Sequence, residues 1–222
     1  MSHDVPQRQP ENPHRDVRVA RAGAPLYRAK AAMVMLHGRG ADAGEMVMLA
    51  EVLGFPDLGY LAPQAAGRSW YPYSFLAPLE QNEPFLSSAL EMLDRMVSEL
   101  GREGLALERV VLFGFSQGAC LALEYAARRA CRYGGVVGLS GGLIGPDGTP
   151  RDYADALDGT PVFLGCSDVD PHIPVARVHE TAHVLERLGG TVTKRIYPGM
   201  GHAINDDEVR QVRSLLSKFA GP

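Results

Sequence analysis

The run Val110-Val111-Leu112-Phe113 is apolar at every position, and Val162-Phe163-Leu164 repeats the pattern. A strand with one wet face alternates apolar with polar residues, so a run without alternation is covered on both faces, as in a parallel sheet flanked by helices. Strands are predicted at residues 16–21, 31–37, 58–62, 109–115, 133–139, 160–165 and 191–197. Helical periodicity fills the gaps. Residues 83–100 set Leu86, Ala89, Leu93, Met96, Val97 and Leu100 on one stripe, and residues 206–219 do the same with Val209, Val212, Leu215, Leu216 and Phe219. Asn205, followed three places later by Glu208, predicts a capped start for the second of these helices. Strands alternating with helices predict an α/β fold with a mostly parallel sheet of about seven or eight strands, whose ligands lie at the strands' carboxyl ends.

A length of 222 residues suits one such sheet, so residues 16–222 are expected to form a single domain with no large cap. The net charge of −4 comes from 22 basic and 26 acidic residues scattered along the chain, which excludes the basic footprint of a nucleic-acid binder. Charge-free runs at residues 110–123 and 133–146 are broken by glycine and too short to span a bilayer as helices, so no stable membrane insertion is expected. Residues 1–15, MSHDVPQRQPENPHR, hold no apolar stretch, which predicts a flexible leader rather than a secretory signal, and a cytoplasmic location. Cys120, Cys131 and Cys166 sit in apolar segments at spacings that match no zinc or redox motif, and they read as buried free thiols.

The predicted strand at 109–115 runs into Gly114-Phe115-Ser116-Gln117-Gly118, and a helical pattern follows over residues 119–129. Strand, G-x-S-x-G and helix in that order make a nucleophile elbow, in which a strained turn lifts the serine above the sheet. Gly138-Leu139-Ser140-Gly141-Gly142 also fits, but turn residues follow it, so Ser140 reads as part of a strand-end loop. Partners for Ser116 stand in the order this architecture requires, an acid and then a histidine, each after a later strand. The acid is Asp168 or Asp170, after the strand at 160–165. The histidine is His202, after the strand at 191–197 and between flexible glycine-bearing backbone and the capped helix. The backbone amide of Gln117 at the helix start is a candidate oxyanion donor, and the glycine-rich turn His37-Gly38-Arg39-Gly40 offers a second at Arg39.

Taken together, Leu36-His37-Gly38-Arg39-Gly40-Ala41-Asp42, Gly114-Phe115-Ser116-Gln117-Gly118, Leu139-Ser140-Gly141-Gly142, Asp168-Val169-Asp170-Pro171 with Ile173-Pro174, and Gly199-Met200-Gly201-His202 resemble the phospholipase/carboxylesterase family of α/β-hydrolases. The resemblance covers roughly residues 30–218. It implies the α/β-hydrolase fold and a serine hydrolase that cleaves carboxylic esters without a cofactor, through Ser116, Asp170 and His202. It also favours Asp170 over Asp168 by the family's spacing, although Cys166-Ser167 stands where the family commonly has His-Gly. Lysophospholipids and acyl-protein thioesters enter as alternative substrates through the resemblance alone, as does a possible homodimer.

Two other signals compete. His179-Glu180-Thr181-Ala182-His183 matches the helical H-E-x-x-H zinc signature of a peptidase. The apolar stripe through Val178, Ala182 and Leu185 leaves both histidines on the solvent flank, and Gly189 stands where an extended signature needs a third histidine, so no metal is expected. Asp168, Asp170 and His172 form a D-x-D-x-H cluster, for which a catalytic acid amid ordinary loop residues is the simpler account. A non-catalytic hydrolase-like binding protein would normally lack one of the three catalytic residues, all present here. The loop at 62–80 carries Trp70, Tyr71, Phe75 and Leu76 as candidate walls of an acyl pocket, and these side chains would equally pack beneath the loop. With no room for a large lid, a small-molecule ester with a short or medium acyl chain is the expected substrate.

Overall fold

The computed structural model describes residues 12–220. Strands β1 (Val19–Gly23), β2 (Ala32–Leu36), β3 (Gly59–Pro63), β4 (Val110–Phe115), β5 (Gly135–Leu139), β6 (Pro161–Ser167) and β7 (Thr191–Tyr197) form one sheet in the order β1-β3-β2-β4-β5-β6-β7. Every pairing is parallel except that of β1, which runs antiparallel beside β3 at one edge. The helices are α1 (Ala43–Leu53), α2 (Phe85–Arg102), α3 (Gln117–Arg128), α4 (Val175–Arg187) and α5 (Asp206–Leu216).

The apolar runs that lack alternation are the central strands, and both of their faces are occupied. Ala32, Val34, Leu36, Val110, Leu112, Val136, Val162 and Leu164 pack with residues of α2, α3 and α4. Met33, Met35, Val111, Phe113, Val137 and Phe163 pack on the other face with Ala43, Met46, Ala50 and Leu53 of α1 and Val212 and Leu216 of α5. Each such side chain contributes about 1.5–3 kcal/mol by leaving water, so covering both faces roughly doubles what each strand can contribute. β7 is the edge strand, and its residues are exposed or half-buried.

Two features depart from expectation. Helix α1 occupies residues for which no stripe predicts a helix. Its start is set by Asp42, whose side chain accepts from the amides of Gly44 and Glu45, and its end by Gly54 in a left-handed conformation. Of the flexible leader expected over residues 1–15, residues 1–11 lie outside the described ones. Residues 13–16 form a turn and His14 is wholly buried. Its Nε2 donates to the Trp70 carbonyl at 3.0 Å, its Nδ1 accepts from the Ala66 amide at 3.2 Å, and its own amide donates to the Ser88 hydroxyl at 2.7 Å. One polar residue held by distant partners leaves no trace in local composition. No helix among the described residues is long and apolar enough to cross a membrane.

Candidate active site

Ser116 sits between β4 and α3 with φ +56° and ψ −121°, a backbone conformation that residues with a side chain seldom adopt. The chain crosses itself closely here. A Cβ on Gly114 would overlap the Gly118 carbonyl, one on Gly118 would overlap the Leu36 carbonyl, and one on Gly38 would lie 3.3 Å from the Ser116 Cβ. The glycines of the elbow are therefore required by contact as well as by turn geometry. Ser140 also has positive φ, but no helix follows it, and its buried hydroxyl has no partner among the described residues.

The loop after β6 carries Asp170 and the loop after β7 carries His202. His202 Nδ1 lies 2.7 Å from Asp170 Oδ2, and its Nε2 lies 2.9 Å from Ser116 Oγ. With Nδ1–H donating to the carboxylate, Nε2 is free to accept from the serine hydroxyl. Burial raises the Asp170 carboxyl, but the bond from His202 and the amides of His172 and Ile173, which donate to Oδ1 at 2.8 and 3.0 Å, outweigh it and hold the group below its ordinary value. It is a stable anion at neutral pH. Among the described residues the imidazole bonds Asp170 and Ser116, not Asp168, the other candidate. Its Oδ1 accepts from the Gly199 amide at 2.8 Å, and Ser167 Oγ accepts from Gly201 at 3.1 Å, so both fasten the loop that presents His202. The Cys166 thiol lies 3.9 Å from Asp170 Oδ2.

Among the hydrogen bonds of the described residues, the backbone amides of Arg39 and Gln117 have no acceptor. Two unused amides flanking Ser116 suit an oxygen that acquires negative charge. His37, which precedes this turn, is buried. Its Nδ1 donates to the Gly38 carbonyl at 2.7 Å, its Nε2 accepts from the Ala65 amide at 3.1 Å, and the Trp70 indole donates to its carbonyl at 2.8 Å. Gln117 adds a clamp that its neighbourhood in the sequence does not reveal. Its side chain accepts from the Trp70 amide at 2.9 Å and donates to the Tyr71 carbonyl at 2.7 Å, binding the 69–71 loop to the elbow.

A cavity of about 500 Å³ opens beside Ser116 and His202. Tyr71 and Phe75 line it as expected, together with Arg39, Tyr73, His172 and Ile173. Trp70 and Leu76, expected in the same wall, do not. Trp70 has no exposed surface because its indole is committed to His37, and Leu76 packs half-buried against the core beneath the loop. The His172 ring meets the His202 ring edge-on at 4.8 Å, a contact between loops whose signal in the sequence is only adjacency to the acid.

His179 and His183 lie on the exposed face of α4, and among the described residues no group of three or more His, Cys, Asp or Glu side chains is placed to hold a metal ion. Cys120 and Cys166 are buried and Cys131 half-buried, all as free thiols.

The sequence profile described as Phospholipase/Carboxylesterase matches residues 19–220. A crystal structure of a phospholipase/carboxylesterase from Dyadobacter fermentans is 43% identical, with a TM-score of 0.87 over 90% of this chain and 97% of that one. Acyl-protein thioesterase 1 of Saccharomyces cerevisiae is 25% identical over 89% of this chain and 96% of its own length. Acyl-protein thioesterase 1 of Gibberella zeae is 34% identical over 54% of this chain and 52% of its own.

Proposed function

The chain belongs to the phospholipase/carboxylesterase family of α/β-hydrolases, and on that premise we propose that it is a carboxylesterase whose nucleophile is Ser116. The observation that carries this reading is the hydrogen-bonded relay from Ser116 through His202 to Asp170, with links of 2.9 and 2.7 Å. His202 takes the hydroxyl proton as Ser116 attacks the ester carbonyl, while Asp170 holds the tautomer and stabilises the imidazolium. The amides of Arg39 and Gln117 stabilise the tetrahedral oxyanion, and His202 returns the proton to the leaving alcohol. Water, deprotonated by the same imidazole, then releases the acyl group.

A fluorophosphonate probe tests the nucleophile. It labels the folded wild type at Ser116, whereas Ser116→Ala is neither labelled nor active; labelling at Ser140 or not at all removes the reading. The cavity volume suits a small-molecule ester with a short or medium acyl chain. Likeness to the yeast thioesterase along nearly all of that protein supports acyl-protein thioesters as a second reading. A series of p-nitrophenyl esters and acyl thioesters of rising chain length separates the two.

A further inference from the structure

Among the described residues, Arg39 brings the one permanent charge to the lining of the cavity beside Ser116, and no carboxylate lines it. The chain as a whole carries a net charge of −4, so this cavity has the opposite sign to the molecule. The guanidinium donates from Nη1 to the Ser69 hydroxyl at 3.1 Å and the Pro72 carbonyl at 2.8 Å, and from Nη2 to the Tyr73 carbonyl at 2.6 Å. All three acceptors are neutral. Among the ion pairs of the described residues, none involves Arg39.

A guanidinium has five N–H groups. The three bonds to the 69–73 loop leave Nε–H and the second Nη2–H without an acceptor among the described residues. Nε–H shares an edge of the guanidinium plane with one of the two Nη2–H groups, and that edge is the fork that binds a carboxylate or phosphate through parallel bonds. The head group is already held in place by the loop carbonyls, so capturing an anion costs little further side-chain ordering.

We propose that the enzyme prefers esters bearing a second, anionic group, a carboxylate or a phosphate, which Arg39 binds through Nε–H and Nη2–H. The proposal rests on Ser116 being the nucleophile, because it places the anion one arginine side chain away from the carbonyl under attack. A neutral ester leaves the fork to water.

Matched pairs test it by proton release at constant pH. Phenyl acetate is compared with 3-acetoxybenzoate and with 3-acetoxyphenyl phosphate, which put a carboxylate or a phosphate on the leaving group. Ethyl pentanoate is compared with monoethyl glutarate, which puts the charge on the acyl group. In at least one pair the anion exceeds its neutral partner about tenfold or more in kcat/KM at low salt, and the ratio falls toward one in Arg39→Gln. Because Arg39 also braces the loop, the ratio is the readout rather than the rate of either ester. Salt supplies a measurement that needs no variant, since the wild-type ratio falls as ionic strength rises toward about 1 M, where the screening length is about 3 Å. Neutral esters favoured or equal in every pair, or a preference indifferent to both Arg39→Gln and salt, overturns the subsite while leaving the hydrolase intact. No turnover of any ester, with no probe on Ser116, overturns the hydrolase reading and the subsite with it.

Discussion

Asp170 and Asp168 lie two positions apart on one loop with different tasks. The Asp170 carboxylate spends one oxygen on His202 and the other on two amides, whereas Asp168 spends its contacted oxygen on Gly199. Asp170→Asn presents an amide where Nδ1–H needs an anion, so kcat is expected to fall about 10⁴-fold on an activated ester. Asp168→Asn keeps an acceptor for Gly199 and is expected to cost less than about tenfold. Steady-state kinetics of both variants decide, and the reverse ranking would transfer the acid's role to Asp168. The order of loops along the sequence made Ser116 and His202 visible, because each stands where a strand ends. The acid needed the family's spacing, since two aspartates fit equally. Gln117's clamp on Trp70 and Tyr71 and the contact of His172 with His202 were beyond reach, because both are contacts between segments that only folding brings together.

Helix α5 follows the His202 loop directly, and its first turn is a capping box: the Glu208 amide donates to Asn205 Oδ1 and the Asn205 amide to Glu208 Oε2, both at 2.9 Å. That start was readable from Asn205 and Glu208 in the sequence, unlike α1, whose apolar residues run round the helix and leave Met48 and Val52 exposed. A helix with no clean stripe offers periodicity nothing to detect. The unexpected part of the box is the burial of Glu208, which is wholly buried, with Oε1 unpartnered among the described residues and its carboxyl pushed up by burial from 4.5 to about 7. Between those values the folded chain holds a proton that the unfolded chain has released, so stability drops as pH rises through the window. The contribution is whole below the unfolded value and gone above the folded one. Glu208→Gln preserves the acceptor for Asn205 and removes the titration. Urea unfolding from about pH 5 to pH 8 should show the wild type losing on the order of 3 kcal/mol relative to the variant. The difference is the proper quantity, because His14 and His37, both pushed down by burial, lose stability in the other direction as pH falls. A difference that does not vary with pH would mean that Glu208 is ionised throughout.

At the scale of the molecule, the sheet was readable because central runs such as residues 110–113 and 162–164 needed cover on both faces, whereas the ties between its layers were not. One such tie begins at the N-terminal turn. His14 holds the Trp70 carbonyl and the Ala66 amide, Trp70 holds the His37 carbonyl, and Gln117 holds the Trp70 amide, so a continuous line of bonds runs from residue 14 to the elbow. The Arg95 guanidinium also donates to the His14 carbonyl at 3.0 Å, joining α2 to the same turn. Removing the imidazole leaves the half-buried Ala66 amide and the buried Trp70 carbonyl without those partners, at up to about 1–3 kcal/mol for each group left unsatisfied. His14→Ala should therefore lower the urea midpoint substantially and reduce kcat/KM, because the segment it anchors leads into Tyr71 and Tyr73 in the cavity wall. His183→Ala is the matched control: its side chain is exposed on α4, so stability should change by less than about 0.5 kcal/mol. Esterase activity of that variant should persist after treatment with a chelator, which a peptidase relying on zinc at His179 and His183 would not allow. Equal shifts of the midpoint in the two histidine variants would show that the turn at residues 13–16 is no part of what holds the elbow in place.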